Sequence, residues 1–110
     1  MSDDVLWFID IFQMQLGSLR VAMADKKVRR DKFDKFSYCS WAITETLLIV
    51  NDYSGYIDIN VIREILTMQL EDYMKYSSDV KESNEKYMYA AEMIEQLLKL
   101  IGGYFECSIF

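Results

Sequence analysis

The 110-residue chain contains no histidine. This removes the commonest general base, the commonest metal ligand and the usual partner of a serine or cysteine nucleophile. Only carboxylate and lysine chemistry is left to an enzyme, so a non-catalytic protein is expected. Proline is also absent and glycine occurs four times, so the stretches 18–54 and 56–101 carry no strong helix breaker. Cys39 and Cys107 are the only cysteines. They allow one pairing and form no CxxC spacing, and two reduced, partly buried thiols are expected. No apolar run approaches the length needed to cross a bilayer, and the start lacks a basic region followed by an apolar run. A cytoplasmic protein with no cofactor, no metal and no membrane contact is expected.

What the chain does contain favours a folded core. Apolar residues make up 52% and aromatics 15% of the sequence, above the share of disordered chains. The length suits one domain, residues 1–110. The net charge of −6 is unevenly placed. Residues 20–35 hold seven bases (Arg20, Lys26, Lys27, Arg29, Arg30, Lys32 and Lys35) against Asp25, Asp31 and Asp34. Residues 36–110 hold five bases and twelve acids.

The apolar spacing predicts helices. Ser2, Asp3 and Asp4 read as a helix start, with acid against the positive end of the dipole. Val5, Phe8, Ile9, Phe12, Leu16, Leu19 and Met23 then recur at steps of three and four. Residues 25–30 read as a short turn, with one continuous helix through them as the alternative. A second helix is expected near 31–50, facing inward with Phe33, Phe36, Ile43, Leu47 and Val50. After a loop at 51–57, Asp58 can cap a third helix near 59–76, with Ile62, Ile65, Leu66, Tyr73 and Met74 inward. Ser77 and Ser78 break it. Asp79 and Glu82 fit a capping box that opens a fourth helix, whose stripe is Tyr87, Ala91, Ile94, Leu98 and Ile101. Gly102 and Gly103 are expected to end it. The expected fold is therefore all-α: a four-helix bundle-like single domain with short loops. Its apolar tail, with Tyr104, Phe105, Ile109 and Phe110, must dock on the bundle or on another chain.

Five features invite a functional reading. The stretch "NDYSGYIDIN", residues 51–60, resembles an EF-hand calcium loop over about ten residues, with Asp52, Ser54, Gly55, Tyr56, Ile57 and Asp58 at ligand, turn and plug positions. Setting Gly55 at the sixth position puts Val50 first and Val61 twelfth, where the loop requires a carboxylate and a bidentate glutamate. The same residues serve equally as a turn, a core plug at Ile57 and a helix cap at Asp58. The basic run 26–35 offers charge to phosphate, but it carries no stacking platform and no glycine cradle. A solvated corner is the expected reading, without direct nucleic-acid binding. Glu92 and Glu95 lie one turn apart with no matching ligands on other helices, which predicts a solvated face. Cys39 has no histidine base, so a catalytic thiol is not expected.

The fifth feature mixes acids with tyrosines: Glu71, Asp72, Tyr76, Asp79, Glu82, Glu85, Tyr87 and Tyr89. Tyrosine combines a rigid apolar ring with a polar tip and is enriched at interfaces. This predicts a protein-binding surface for a basic partner. The most specific expectation is a small acidic inhibitor that blocks a nucleic-acid-handling protein. In type, though not in motif, such a chain resembles phage anti-defence and anti-CRISPR proteins. A toxin-immunity protein or a structural, regulatory homo-oligomer is the alternative. A homodimer is expected because Val61, Ile65 and Met68 add a second apolar face to the third helix beside Ile62, Leu66 and Tyr73.

The loop supports one direct test. Titration calorimetry with calcium should give no micromolar binding at 51–60, because valine stands at both key ligand positions. A micromolar constant lost in Asp52→Ala would contradict this.

Overall fold

The computed structural model describes residues 1–78 and 84–109, with side chains for 1–78 and 85–103. Among the described residues the fold is four packed helices and no strand: α1 Asp3–Ala24, α2 Arg30–Asp52, α3 Ile59–Ser77 and α4 Asn84–Ile109. None of these helices is long and apolar enough to cross a membrane.

Local chemistry sets the helix ends. The Ser2 hydroxyl accepts from the Val5 N–H at 3.4 Å, with Asp3 and Asp4 in the first turn of α1. The Asp58 carboxylate accepts from the Val61 N–H at 3.0 Å to open α3. Each cap satisfies a donor that the helix leaves unpaired. Between α1 and α2 the chain turns: the Asp25 carboxylate accepts from the Lys27 N–H at 3.0 Å, and the Val28 N–H donates to the Asp25 carbonyl at 3.1 Å. Residues 25–29 are thus a turn and not part of one long helix. The Ser77 and Ser78 hydroxyls both donate to the Met74 carbonyl, at 2.8 and 3.0 Å, and end α3.

The glycine pair at 102–103 does not end α4, which runs on to Ile109. A glycine stops a helix by adopting positive φ, and no glycine here does so. The Asp79–Glu82 capping box lies outside the described residues, as do the side chains of Tyr104, Phe105, Ile109 and Phe110.

The inward faces largely follow the apolar spacing. Val5, Phe8, Phe12, Ile43, Ile62, Leu66, Ile94, Leu97 and Ile101 are buried together. Two inward assignments fail. Phe33 is 43% exposed and Met74 56% exposed. Phe33 sits in the first turn of α2, ahead of the buried run that begins at Cys39. Met74 falls on the outer arc of α3 with exposed Thr67 and Glu71, while Tyr73 continues the inner face. The loop between α2 and α3 acts as the structural alternative predicts: Ile57 is 4% exposed in the core, and its carbonyl accepts from the Ser2 N–H at 3.1 Å. That bond ties the start of α1 to the start of α3.

One buried polar chain crosses the core. The Thr46 hydroxyl donates to Gln69 Oε1 at 2.8 Å, and Gln69 Nε2 donates to the Tyr73 hydroxyl at 3.2 Å. Thr46 and Gln69 are 0% and 5% exposed. Apolar spacing gives no warning of this chain. Its partners make α2 and α3 antiparallel, with Trp41 beside Tyr73 and Thr46 beside Gln69. Replacing Gln69 by leucine should lower unfolding stability in urea by about 1–3 kcal/mol, the cost of stranding buried polar partners. Adding Thr46→Val should cost less than the two single losses summed, which a double-mutant cycle will read.

Candidate functional site

Of the acid and tyrosine residues predicted to bind a partner, Glu71, Asp72 and Tyr76 lie in the last turns of α3 and Glu85, Tyr87 and Tyr89 in the first turns of α4. The inner face of α3 runs through Ile62, Leu66, Gln69 and Tyr73 and reaches Tyr76 at the open end of the core. Tyr87 begins the corresponding face of α4. The two rings meet with centroids 5.1 Å apart. Tyr87 also lies 6.2 Å from Trp41, edge to face, and 6.3 Å from Tyr73, while Trp41 and Tyr73 are 5.2 Å apart. Aromatic pairs in these geometries contribute about 0.5–1.5 kcal/mol beyond their buried area.

The cluster grades from dry to wet. Tyr73 is 7% exposed, Tyr87 is half-buried and packed on the core, and Tyr76 is 48% exposed. Lys86 Nζ stands 4.1 Å above the Trp41 ring and 5.7 Å from the Tyr87 ring, a cation–π arrangement. Tyr89 points elsewhere: it stacks on Tyr38 at 6.4 Å, with Lys35 Nζ 5.6 Å from its ring. Of the three expected tyrosine anchors, then, Tyr76 presents a free edge, whereas Tyr87 and Tyr89 join α4 to its neighbours. Glu71, Asp72 and Glu85 are exposed. Asp79 and Glu82 lie outside the described residues.

Trp41 and Lys86 belong to the cluster although their spacing does not mark them. The signal available was weak: Trp41 stands three residues after Tyr38, and Lys86 directly precedes Tyr87. Burial is the main cause that raises the Tyr73 phenol above its ordinary value, followed by the Gln69 amide, which opposes it, and by the nearby Glu45 and Asp72 carboxylates, which add to it. The folded state therefore holds this proton more tightly than the unfolded chain does. Its contribution to stability is present below the ordinary tyrosine value and is lost as pH rises through the folded one.

The remaining candidates are resolved by position. In the basic run, Lys26, Lys27, Arg29, Arg30 and Lys32 are exposed. Arg29 pairs with Asp31 at 3.5 Å with both groups largely in solvent, worth about 0–1 kcal/mol. On α3, Ile65 is buried within the chain and Val61 packs against the core, so Met68, 65% exposed, is what remains of the second apolar face. Glu95 approaches Lys99 at 4.0 Å on a solvated face. Among the described residues no three acidic or sulfur ligands gather as a metal site would require.

The Cys39 thiol donates to the Tyr89 carbonyl at 3.7 Å, and burial, opposed by Lys35 and aided by Glu92, raises it above the ordinary thiol value. A raised thiol is a poor nucleophile near neutral pH. In a Cys107→Ser background, thiol labelling at pH 8 should be slow and should follow the unfolding rate as urea is added. Labelling at the rate of a free thiol would show that Cys39 is open. In comparison with known proteins, no family model, no curated protein and no solved structure matches this chain.

Proposed function

We propose that this chain is a non-catalytic binding module that engages a basic protein surface through Tyr76 and the carboxylates exposed on the same two helices. The observation that carries the reading is the state of Tyr76: its ring is 48% exposed yet held against Tyr87 at 5.1 Å. An exposed ring whose rotamer is already restricted loses little entropy on binding. Glu71, Asp72 and Glu85 are exposed on the same two helices, and the chain carries a net charge of −6. Rim charges of this kind steer association and exclude partners of like sign. The most specific form of the proposal is an inhibitor that occupies the basic channel of a nucleic-acid-handling protein, since such a channel attracts clustered carboxylates as it attracts phosphates.

The test is a partner recovered at low salt from the source cell and then studied with purified variants. Tyr76→Ala should weaken binding by about tenfold or more, while the lost contact with Tyr87 lowers the melting temperature by only a few degrees. A Glu71→Lys, Asp72→Lys double variant should slow association and flatten its salt dependence. If the partner handles nucleic acid, the parent chain should displace that nucleic acid. A partner bound equally well by parent, Tyr76→Ala and the charge-reversed chain removes this reading.

A further inference from the structure

Helix α1 is apolar on two sides. Its inner side places Val5, Phe8, Phe12 and Leu16 in the core. Its outer side carries Trp7, Met14 and Val21, seven residues apart and 46%, 71% and 74% exposed. Asp3, Asp10, Gly17 and Ala24 interleave with them at steps of three and four, all exposed. That spacing is the seam of a helix pair. Trp7 rests edge-on against Phe8 at 4.8 Å and still presents nearly half its surface.

Gly17 is the informative residue. Glycine in a helix interior is costly relative to alanine. Here its backbone does not use positive φ, and an added Cβ would meet no described atom within 4 Å. Nothing described within the chain calls for a missing side chain at this position, which lies on the exposed seam between Met14 and Val21.

We infer that α1 is a self-association surface on which a second copy of this chain lays its own α1 antiparallel. Two independent features select this occupant. The first is shape. In the antiparallel register that sets Met14 over Gly17 of the second copy, Trp7 lies over Ala24 of the second copy. Each large residue meets a small one, twice by symmetry. The remaining layer sets Asp10 against Val21 of the second copy, next to Arg20, whose long side chain can reach the carboxylate. The second feature is charge. Residues 1–19 hold Asp3, Asp4 and Asp10 and no base, whereas residues 20–30 hold Arg20, Lys26, Lys27, Arg29 and Arg30 against Asp25. Antiparallel apposition sets acid over base and opposes the helix dipoles, while a parallel pair would set like over like.

In this register residues 7–24 of the two helices overlap, a seam about 27 Å long and roughly 10–12 Å wide. This is smaller than the roughly 800 Å² per partner of a standard stable interface, so the dimer should form reversibly in the micromolar range. The inference is independent of the reading of Tyr76, which lies on other helices.

Light scattering and sedimentation test it. At a chain concentration on the order of 100 μM, the parent should approach twice 13.0 kDa. Met14→Glu should return it to 13.0 kDa with its helical circular dichroism intact, because Met14 is 71% exposed. Gly17→Leu has open space in the monomer and should weaken the dimer by about tenfold or more without lowering the melting temperature. Asp10→Arg and Arg20→Asp should each weaken the dimer, and the double variant should recover it. A parent chain that stays monomeric overturns the proposal, and so does a dimer indifferent to both Met14→Glu and Gly17→Leu. A dimer in which spin labels at positions 3 of the two copies lie close together would be parallel and would also overturn it.

Discussion

The buried chain from Thr46 through Gln69 to Tyr73 is the polar constraint that ties α2 to α3 within an otherwise apolar core. A buried amide is tolerated only when its hydrogen bonds are made. Sliding α3 along α2 by one turn, about 5.4 Å, would break these bonds while leaving most apolar contacts replaceable. The polar chain therefore sets the register that oily faces alone leave loose. It also holds the Tyr73 hydroxyl, whose ring lies 5.2 Å from Trp41 and 6.3 Å from Tyr87.

From that point the aromatic cluster does two jobs with one set of atoms. Its inner rings add buried area to the junction. Its outer ring, Tyr76, remains in solvent on a rigid backing. Lys86 above Trp41 and Lys35 near Tyr89 place positive charge on the flanks of the same region. The chain is bipolar in sequence, but the fold brings the end of its basic run beside the start of α4. The acidic character belongs to the outer faces, where Glu71, Asp72, Glu85, Glu92 and Glu95 are exposed.

Exposed apolar residues are not spread evenly. Met68, Met74 and Met88 are separate exposures on the outer arcs of α3 and α4, which a folded protein tolerates without consequence. On α1 the exposures line up with one another and with a glycine that the described chain does not need. The second apolar face sought on α3 is mostly consumed by the core, since Ile65 is buried and Val61 packs against it. The proposed pairing of chains therefore rests on α1.

By itself the sequence determined the number and type of the elements, the turn at Asp25, the caps at Ser2 and Asp58, the plug at Ile57 and most of the core stripe. Each of these rests on interactions within a few residues: a side-chain oxygen reaching a nearby N–H, or apolar groups recurring at the helical period. It also marked Tyr76, Glu71, Asp72 and Glu85 as a group, because they are neighbours along two successive helices. It misplaced Met74 and Phe33 and ended α4 too soon at Gly102 and Gly103. A stripe one residue wide at its margin does not show which flank will be covered, and a glycine permits positive φ without requiring it. Only the tertiary structure decided that Thr46 and Gln69 form a buried pair, that Trp41 and Lys86 join Tyr73 and Tyr87, and that Tyr76 alone of the three expected tyrosine anchors keeps an open edge. Those contacts link residues far apart in the chain, and ring meets ring only after the helices have settled their register against one another.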